Sequence, residues 1–405
     1  MWRESTTHYA QSNGVNQQMI ASFAANSPNK ISAMKIGVIG SGAMGSGIAQ
    51  VAAQAGHEVV VVDQQQAALD RAETSLKGIL AKMAEKGKLT ADESAAIANR
   101  ITFHQSIDSL KYSEIVIEAI VENSEVKKSV FQTLETVVSA SCIIATNTSS
   151  LSVTAIAAAC ANPRRFIGIH FFNPAPLMPL VEIIPALQTD EPLAETCSSL
   201  MRSWGKIPVV CKDTPGFIVN RVARPYYSEA LRIVDEGLAD MATVDQAMRN
   251  LGFRMGPFEL MDMIGHDVNY TVTESVFTAM YFDPRYRPSI TQKKLVEAGW
   301  LGKKSGRGFY SYAEGESQPI PSADNTLLTR IGTRILAMLI NEAYDTVYYG
   351  VASAESVDLA MTKGVNYPKG LIAWGKELGI DNVRNTIREL YTTYNEDRYR
   401  ISQGL

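Results

Sequence analysis

The sequence predicts a doubly wound, Rossmann-like α/β domain followed by an all-helical region built from two tandem repeats. Three observations lead there. Short β-branched runs alternate with helical stretches from Met34 to about Val210. A glycine-rich turn joins the first of these strands to the first helix. Beyond Asp213-Thr214-Pro215-Gly216 the strand signal fades and helical periodicity takes over. Alternating strand and helix is the pattern of a mostly parallel sheet covered on both faces, and 405 residues exceed one ordinary domain of roughly 100–200 residues.

The elements follow in chain order. Residues 1–33 are polar, rich in Ser, Asn, Gln and Ala, and lack periodic apolar spacing. They read as a mobile tail, or as an over-called start with Met34 as the natural beginning. They lack the charged start and apolar core of a secretory signal. Residues 34–212 form the expected nucleotide domain. KIGVIG, EVVVVD, SEIVIEAI, CIIAT, RFIGIHFF and LVEII are its strands; continuous apolar runs suit a sheet buried on both sides. Gln65–Asn99 is too long for one crossover helix and reads as a helical hairpin. Residues 213–312 form the first helical copy, and 325–405 a degenerate second copy, with an irregular stretch near Gly299–Pro321. Arg221, Glu229, Ala230, Gly237, Asp245, Ala247 and Met248 recur in one register as Arg334, Glu342, Ala343, Gly350, Asp358, Ala360 and Met361. One inserted residue later, Gly256, Gly265 and Asp267 recur as Gly370, Gly379 and Asp381. Identities kept in register point to duplication.

Composition narrows the function. Hydrophobic residues make up 46% and charged residues 20% of the chain, and the net charge is -4. That gives no electrostatic reason to expect nucleic acid or a membrane surface as partner. No apolar run approaches the roughly 18 residues of a membrane span. Cys142, Cys160, Cys197 and Cys211 are widely spaced, with no Cys-x-x-Cys pair. They read as buried thiols of a cytoplasmic protein, and no metal site is expected.

KIGVIGSGAMGSGIA places Gly40, Gly42 and Gly45 in a G-x-G-x-x-G frame after a strand and at the start of a helix. The first glycine permits a tight turn, the second lets a pyrophosphate approach the backbone, and the third lets helix and strand pack closely. Gly40, Gly42, Ala43, Met44 and Gly45 are therefore the expected phosphate-side contacts, with the helix N-terminus supplying free N–H groups. Asp63 ends the next strand, suits the ribose hydroxyls and would repel a 2′-phosphate. Gln64, Gln65 and Gln66 follow it with no adjacent arginine, which selects NAD over NADP.

A second informative stretch is RFIGIHFFNPAPLMPLVEII. His170 closes one apolar strand and Glu182 lies inside the next. A carboxylate in an apolar strand is costly without a partner, and histidine suits proton transfer near neutral pH. A hairpin-like return would bring the two together; a strand-end histidine and an edge-strand glutamate that never meet fit the spacing equally well. His8, His57, His104 and His266 read as solvated or capping residues.

The blocks GVIGSGAMGSGIA, VIEAIVEN, TNTSSLSV, HFFNPAPLMPLVEI, DTPGFIVNR, GPFELMD and GWLGKKSGRGFY, in that order, resemble the 3-hydroxyacyl-CoA dehydrogenase family. The resemblance covers about Met34 to Tyr312, and the second helical copy extends it. It implies NAD-dependent oxidation of an (S)-3-hydroxyacyl-CoA to the 3-oxoacyl-CoA, in fatty-acid or phenylacetate-type aromatic-acid degradation. On this resemblance His170 is the base and Glu182 its carboxylate partner. Ser149 and Asn220 contact the substrate. Ser149, Glu122, Lys127, Asn173 and Lys304 contact NAD. Ser75 and Lys82, two helical turns apart, contact coenzyme A. A non-catalytic NAD-binding relative of the lens-crystallin kind would have lost the catalytic set, whereas His170, Glu182, Ser149 and Asn220 are all present. A relative acting on free hydroxy acids would lack coenzyme A preference. The pattern is most similar to members acting on 3-hydroxybutyryl and 3-hydroxyadipyl chains. A dicarboxylic chain calls for a cation, and Arg224, Arg254, Arg285 and Arg287 are the arginines available; the sequence places none of them. The second copy carries Thr333 in place of Asn220 and reads as structural. Its Ile335, Leu336, Leu339, Ile340 and Tyr344 would make it an intrachain pseudo-dimer partner, with homo-oligomers of the whole chain also compatible.

Overall fold

A computed structural model of the chain describes residues 32–405 except residue 318. The expected tail, apart from Ser32 and Ala33, and His8 lie outside the described residues. The chain divides into two compact units, one ending at Val210 and the other spanning Cys211–Leu405.

The first unit is built on one eight-stranded sheet. Its strands are β1 (Lys35–Ile39), β2 (Glu58–Val62), β3 (Ile101–His104), β4 (Ile115–Glu118), β5 (Ile143–Thr146), β6 (Phe166–Phe171), β7 (Leu180–Pro185) and β8 (Ile207–Val210). The order is β3-β2-β1-β4-β5-β6-β7-β8. The pairings through β6 are parallel, β7 runs antiparallel to β6, and β8 is parallel to β7. Every residue of β4, β5 and β6 is buried, as expected of strands covered on both faces. The strands ITFH and IPVV were not among those anticipated. Both are short, lie at the sheet edges and carry a polar or proline residue, so neither shows a continuous apolar run.

Helices α1 (Ala43–Gln54), α2 (Gln66–Glu85), α3 (Ala91–Asn99), α4 (Ser124–Val137), α5 (Val153–Ala157) and α6 (Glu191–Ser203) connect the strands. The α2–α3 pair is the anticipated hairpin. Thr90 starts α3 with a capping box, its hydroxyl accepting from the Glu93 N–H while the Glu93 carboxylate accepts from the Thr90 N–H, which fixes where the second arm begins. The strand order reverses between β1 and β4. In an open α/β sheet that switch point opens a crevice at the carboxyl ends of the strands.

The second unit contains α7 (Val219–Val222), α8 (Arg224–Asp235), α9 (Met241–Asn250), α10 (Pro257–Ile264), α11 (His266–Ala279), α12 (Ile290–Glu297), α13 (Asn325–Tyr348), α14 (Ala354–Gly364), α15 (Leu371–Leu378) and α16 (Ile380–Tyr394). Helix α13, 24 residues long, packs against α8, α9, α15 and α16. It is apolar around most of its circumference, as a helix enclosed by others must be. Ile335, Leu336, Leu339 and Ile340 are fully buried.

Two buried glutamates of this unit, Glu229 and Glu342, are matched by cations and hydroxyls. Arg221 Nε donates to Glu342 Oε1 at 2.6 Å. Arg285 also reaches Glu342, and the Tyr286 hydroxyl donates to it at 2.6 Å. Likewise Arg334 Nε donates to Glu229 Oε2 at 3.0 Å and the Tyr399 hydroxyl donates at 2.9 Å. Arg398 lies 3.5 Å from Glu229. A buried carboxylate unmatched in this way would cost several kcal/mol. Asp245 accepts from the N–H groups of Phe258 and Glu259 at the start of α10, and Asp358 accepts from those of Ile372 and Ala373 at the start of α15. A Cβ on Gly256 or Gly370 would lie 2.2 Å from the respective aspartate, so only glycine admits either contact.

Two histidines depart from expectation. His57 is buried, not solvated: its Nδ1 accepts from the Met34 N–H at 3.1 Å and its ring faces Trp204. His266 is fully buried and shares a 2.7 Å hydrogen bond with Asp262. A turn and a helix start normally face water, but here other segments close over both. His104 is exposed. All four cysteines are buried, and burial pushes the thiols of Cys142, Cys160 and Cys197 up to about 12. No described helix is long and apolar enough to cross a membrane.

Candidate active site

The glycine turn after β1 is shaped by two close approaches. Gly40 has φ +103°, and a Cβ there would lie 2.5 Å from the Ala119 carbonyl oxygen. A Cβ on Gly45 would lie 1.9 Å from the Gly40 carbonyl oxygen. Gly42 differs, because nothing lies within 4 Å of its Cβ position. It faces a cleft of about 1060 Å³ at the switch point, whose lining includes Gly40, Gly42, Ala43, Asp63, Ser75 and Asn173. Met44 packs against the core instead, and Gly45 is buried beneath the turn.

Asp63 closes the far side of the turn. One carboxylate oxygen accepts from the Ser41 N–H and hydroxyl, both at 2.9 Å, and the other accepts from the Gln65 N–H at 3.0 Å. Burial pushes this carboxyl up, but those donors and the charge of Arg71 outweigh it and hold the pKa below the ordinary value. Arg71 itself lines the cleft. Sequence reasoning saw only the glutamines beside Asp63; helix α2 folds back and brings in an arginine from two turns further on.

The same cleft continues past Ser75 and Ile79 on α2. Lys82 lies on that helix face and is exposed, but is not part of the lining. A bare glycine turn at a helix start, a ribose-side carboxylate and an apolar wall fit a dinucleotide.

Glu122 and Lys127 lie beyond the cleft lining. Lys127 is buried, with Nζ 2.6 Å from Glu118 and 3.2 Å from Glu122. Glu122 Oε1 accepts from the Thr148 hydroxyl at 2.6 Å and the Ser149 N–H at 2.8 Å. Burial pushes the Glu122 carboxyl up; Lys127 and these donors bring it below the ordinary range. Glu118 was missed in the sequence, although its signal was the one used for Glu182: a carboxylate inside an otherwise apolar strand. It also accepts from the Thr146 hydroxyl at 2.7 Å and the Ile120 N–H at 2.7 Å. It thereby ties β4, β5 and α4 together, while Glu122 holds the Ser149 loop.

His170 and Glu182 are directly opposed in the antiparallel β6–β7 pair. The alternative in which they never meet is excluded: His170 Nδ1 lies 2.8 Å from Glu182 Oε2. The carboxylate is fully buried and the ring is 5% exposed. A carboxylate on Nδ1 fixes the imidazole's orientation and leaves Nε2 as the atom for proton transfer. The chain then turns through Phe172, whose ring lies 4.6 Å from the imidazole, to Asn173 on the cleft wall. Asn147 Oδ1 accepts from the Phe171 N–H at 2.7 Å and holds the end of β6.

Asn220 and Lys304 belong to the helical unit. Asn220 is half-buried on α7. Lys304 lies in a short helical turn, with Nζ 2.6 Å from Asp267 Oδ1.

Residues 35–214 match the model of the 3-hydroxyacyl-CoA dehydrogenase NAD binding domain, and residues 216–312 and 331–405 match that of the family's C-terminal domain. The chain belongs to the 3-hydroxyacyl-CoA dehydrogenase family. As a member it is an NAD-dependent oxidoreductase acting on 3-hydroxyacyl-CoA. This dehydrogenase is 39% identical to the 3-hydroxyadipyl-CoA dehydrogenase of Escherichia coli, over 91% of this chain and 96% of that one. It is 44% identical to a probable 3-hydroxybutyryl-CoA dehydrogenase of Deinococcus radiodurans, which matches 69% of this chain and 100% of its own. Among solved structures, a 3-hydroxybutyryl-CoA dehydrogenase from Escherichia coli superimposes with a TM-score of 0.87 at 38% identity, covering 92% of this dehydrogenase and 97% of that chain.

Proposed function

We propose that this dehydrogenase oxidises (S)-3-hydroxyacyl-CoA with His170 as general base, in fatty-acid or aromatic-acid degradation in the cytoplasm. The observation that carries the reading is the buried His170–Glu182 pair. Bound NAD supplies the hydride acceptor. His170 takes the substrate hydroxyl proton at Nε2 as the C3–H bond gives up its electron pair. Glu182 stabilises the imidazolium that results. Ser149 and Asn220 hydrogen-bond the reacting oxygen. Gly40, Gly42, Ala43, Asp63, Glu122, Lys127, Asn173 and Lys304 form the cofactor side. Ser75 and Lys82 of α2 hold coenzyme A. The test compares NADH formation from (S)-3-hydroxybutyryl-CoA with that from free 3-hydroxybutyrate. Strong preference for the thioester is expected, and equal use of the free acid would defeat the reading.

The helical unit is, in this reading, a duplicated domain folded into an intrachain pseudo-dimer. Its support is reciprocity: Arg221, Arg285 and Tyr286 surround Glu342, while their counterparts Arg334, Arg398 and Tyr399 surround Glu229. An interface in which each half presents the same patch to the other has two-fold symmetry.

A further inference from the structure

Five arginines of the helical unit are buried: Arg221, Arg224, Arg285, Arg334 and Arg398. Four of them face a carboxylate within 4 Å. Arg224 faces none among the described residues. Its Nε donates to the Asn220 carbonyl oxygen at 2.7 Å and its Nη1 to the Thr273 hydroxyl at 3.0 Å, both neutral groups. Nη2 has no hydrogen-bond partner among the described residues. The guanidinium lies over the Tyr227 ring, 5.0 Å from its centre. A cation only 4% exposed and lacking a counter-ion is expensive, so it calls for an anion.

A second observation points the same way. The Tyr367 hydroxyl is buried and has no hydrogen-bond partner, and its ring lies 5.9 Å from that of Tyr226, which in turn meets the Tyr227 ring beneath Arg224 at 5.7 Å. Its ring is fixed against Phe253, 4.9 Å between centres. A buried hydroxyl left unmatched is costly. The two groups therefore offer spare donors, one of them charged, in one apolar setting. In the register of the helical repeat Arg224 corresponds to Ala337. The proposed second copy thus carries alanine there, so the repeat pattern does not call for the arginine. Arg224 follows Asn220 by one helical turn, roughly 5.4 Å along the axis, and is bonded to that residue's carbonyl.

We infer that Arg224, with Tyr367, receives the distal carboxylate of the acyl chain, so that the preferred substrate is a dicarboxylic 3-hydroxyacyl-CoA. This rests on the proposed placing of Asn220 at the C3 oxygen. A six-carbon chain carries its terminal carboxylate three carbons beyond that oxygen, a span comparable to one helical turn. The names of the relatives divide between monocarboxylic and dicarboxylic substrates, and the unmatched charge favours the second. Arg254 and Arg287, the other arginines open on sequence grounds, are not buried, and Arg285 is engaged by Glu342 and Asp345.

The test is kcat/KM of the full chain with NAD on (S)-3-hydroxyadipyl-CoA and (S)-3-hydroxyhexanoyl-CoA, which differ only in the terminal carboxylate. The wild-type protein should favour the dicarboxylate by on the order of 10² or more. Arg224→Met should bring that ratio to about one or below, and Tyr367→Phe should lower it by roughly tenfold. A wild-type ratio near one, or an unchanged ratio in folded Arg224→Met, overturns the proposal while leaving the reaction class intact. If Arg224→Met does not fold, the wild-type ratio and Tyr367→Phe decide. A wild-type protein inactive on both thioesters would overturn the reaction class as well.

Discussion

His170 depends on a partner that water cannot reach. With Glu182 fully buried, the imidazole is held in one orientation. Replacing His170 by Ala should lower kcat by on the order of 10²–10⁴ while NAD affinity, measured by fluorescence titration, stays close to wild type. Wild-type turnover in the variant would remove His170 from the mechanism. Asp63 makes a different kind of choice. Its carboxylate sits between the Ser41 turn and Arg71. In Asp63→Ala the repulsion of a 2′-phosphate disappears and Arg71 gains an anion to bind. The expected result is weaker NAD use together with a rise in kcat/KM for NADP, and Arg71→Ala in the same background should reverse the rise. The placing of Asp63 beside the glycine turn was legible in the sequence, because a G-x-G-x-x-G turn and a strand-end acid are local. The part played by Arg71 was not, since it depends on how α2 folds back over the turn.

At the scale of elements, the glycines of one turn separate fold from binding. Gly45→Ala places a methyl group 1.9 Å from the Gly40 carbonyl oxygen, so β1 and α1 must move apart. A loss of more than about 2 kcal/mol in denaturant unfolding is expected. Gly42→Ala meets nothing within 4 Å; it should keep the wild-type unfolding midpoint but raise the Kd for NAD, because the methyl group projects into the cleft. Equal destabilisation by both would contradict this division. In the helical unit, Asp262 holds the Phe309–Tyr312 segment by accepting from the N–H groups of Phe309 and Tyr310 and from the Tyr312 hydroxyl. Burial pushes its carboxyl up, yet these donors and His266 bring it below the ordinary aspartate value. The folded pKa thus lies below the unfolded one. Its contribution is complete above the unfolded pKa and is lost as pH falls through the folded value. Asp262→Asn should therefore be less stable near neutrality and show a flatter acid limb in a plot of Tm against pH. An unchanged acid limb would show that other groups govern it. The central strands and the α2–α3 hairpin were legible because continuous apolar runs and long helical periods are strong signals. Edge strands β3 and β8 were not, being four residues each and defined by their neighbours. His57 and His266 were misjudged because their burial comes from distant segments closing over them.

For the whole molecule, the helical unit is held by pairs that span its two halves. A chain ending at Tyr312 would leave Glu229 without Arg334 and Arg398, and would uncover the apolar faces that pack on Ile335, Leu336, Leu339 and Ile340. Such a product should self-associate or precipitate, as read by size-exclusion chromatography. A truncated protein that stays monomeric and as heat-stable as the full chain would defeat the pseudo-dimer proposal. The identities that suggest a repeat were visible in the sequence, because they kept one register. The reciprocal nests around Glu229 and Glu342 were not, since pairing across halves is fixed only in three dimensions.

Those nests also bear on how the enzyme responds to scarcity. Two separate chains that bury such charges against each other part company on dilution, and each then exposes its unpaired carboxylate. In the proposed pseudo-dimer the partner surface is attached by a short peptide, which keeps its local concentration in the millimolar range however few copies are present. Specific activity should therefore stay flat from micromolar down to picomolar protein, with no lag as an assay is diluted.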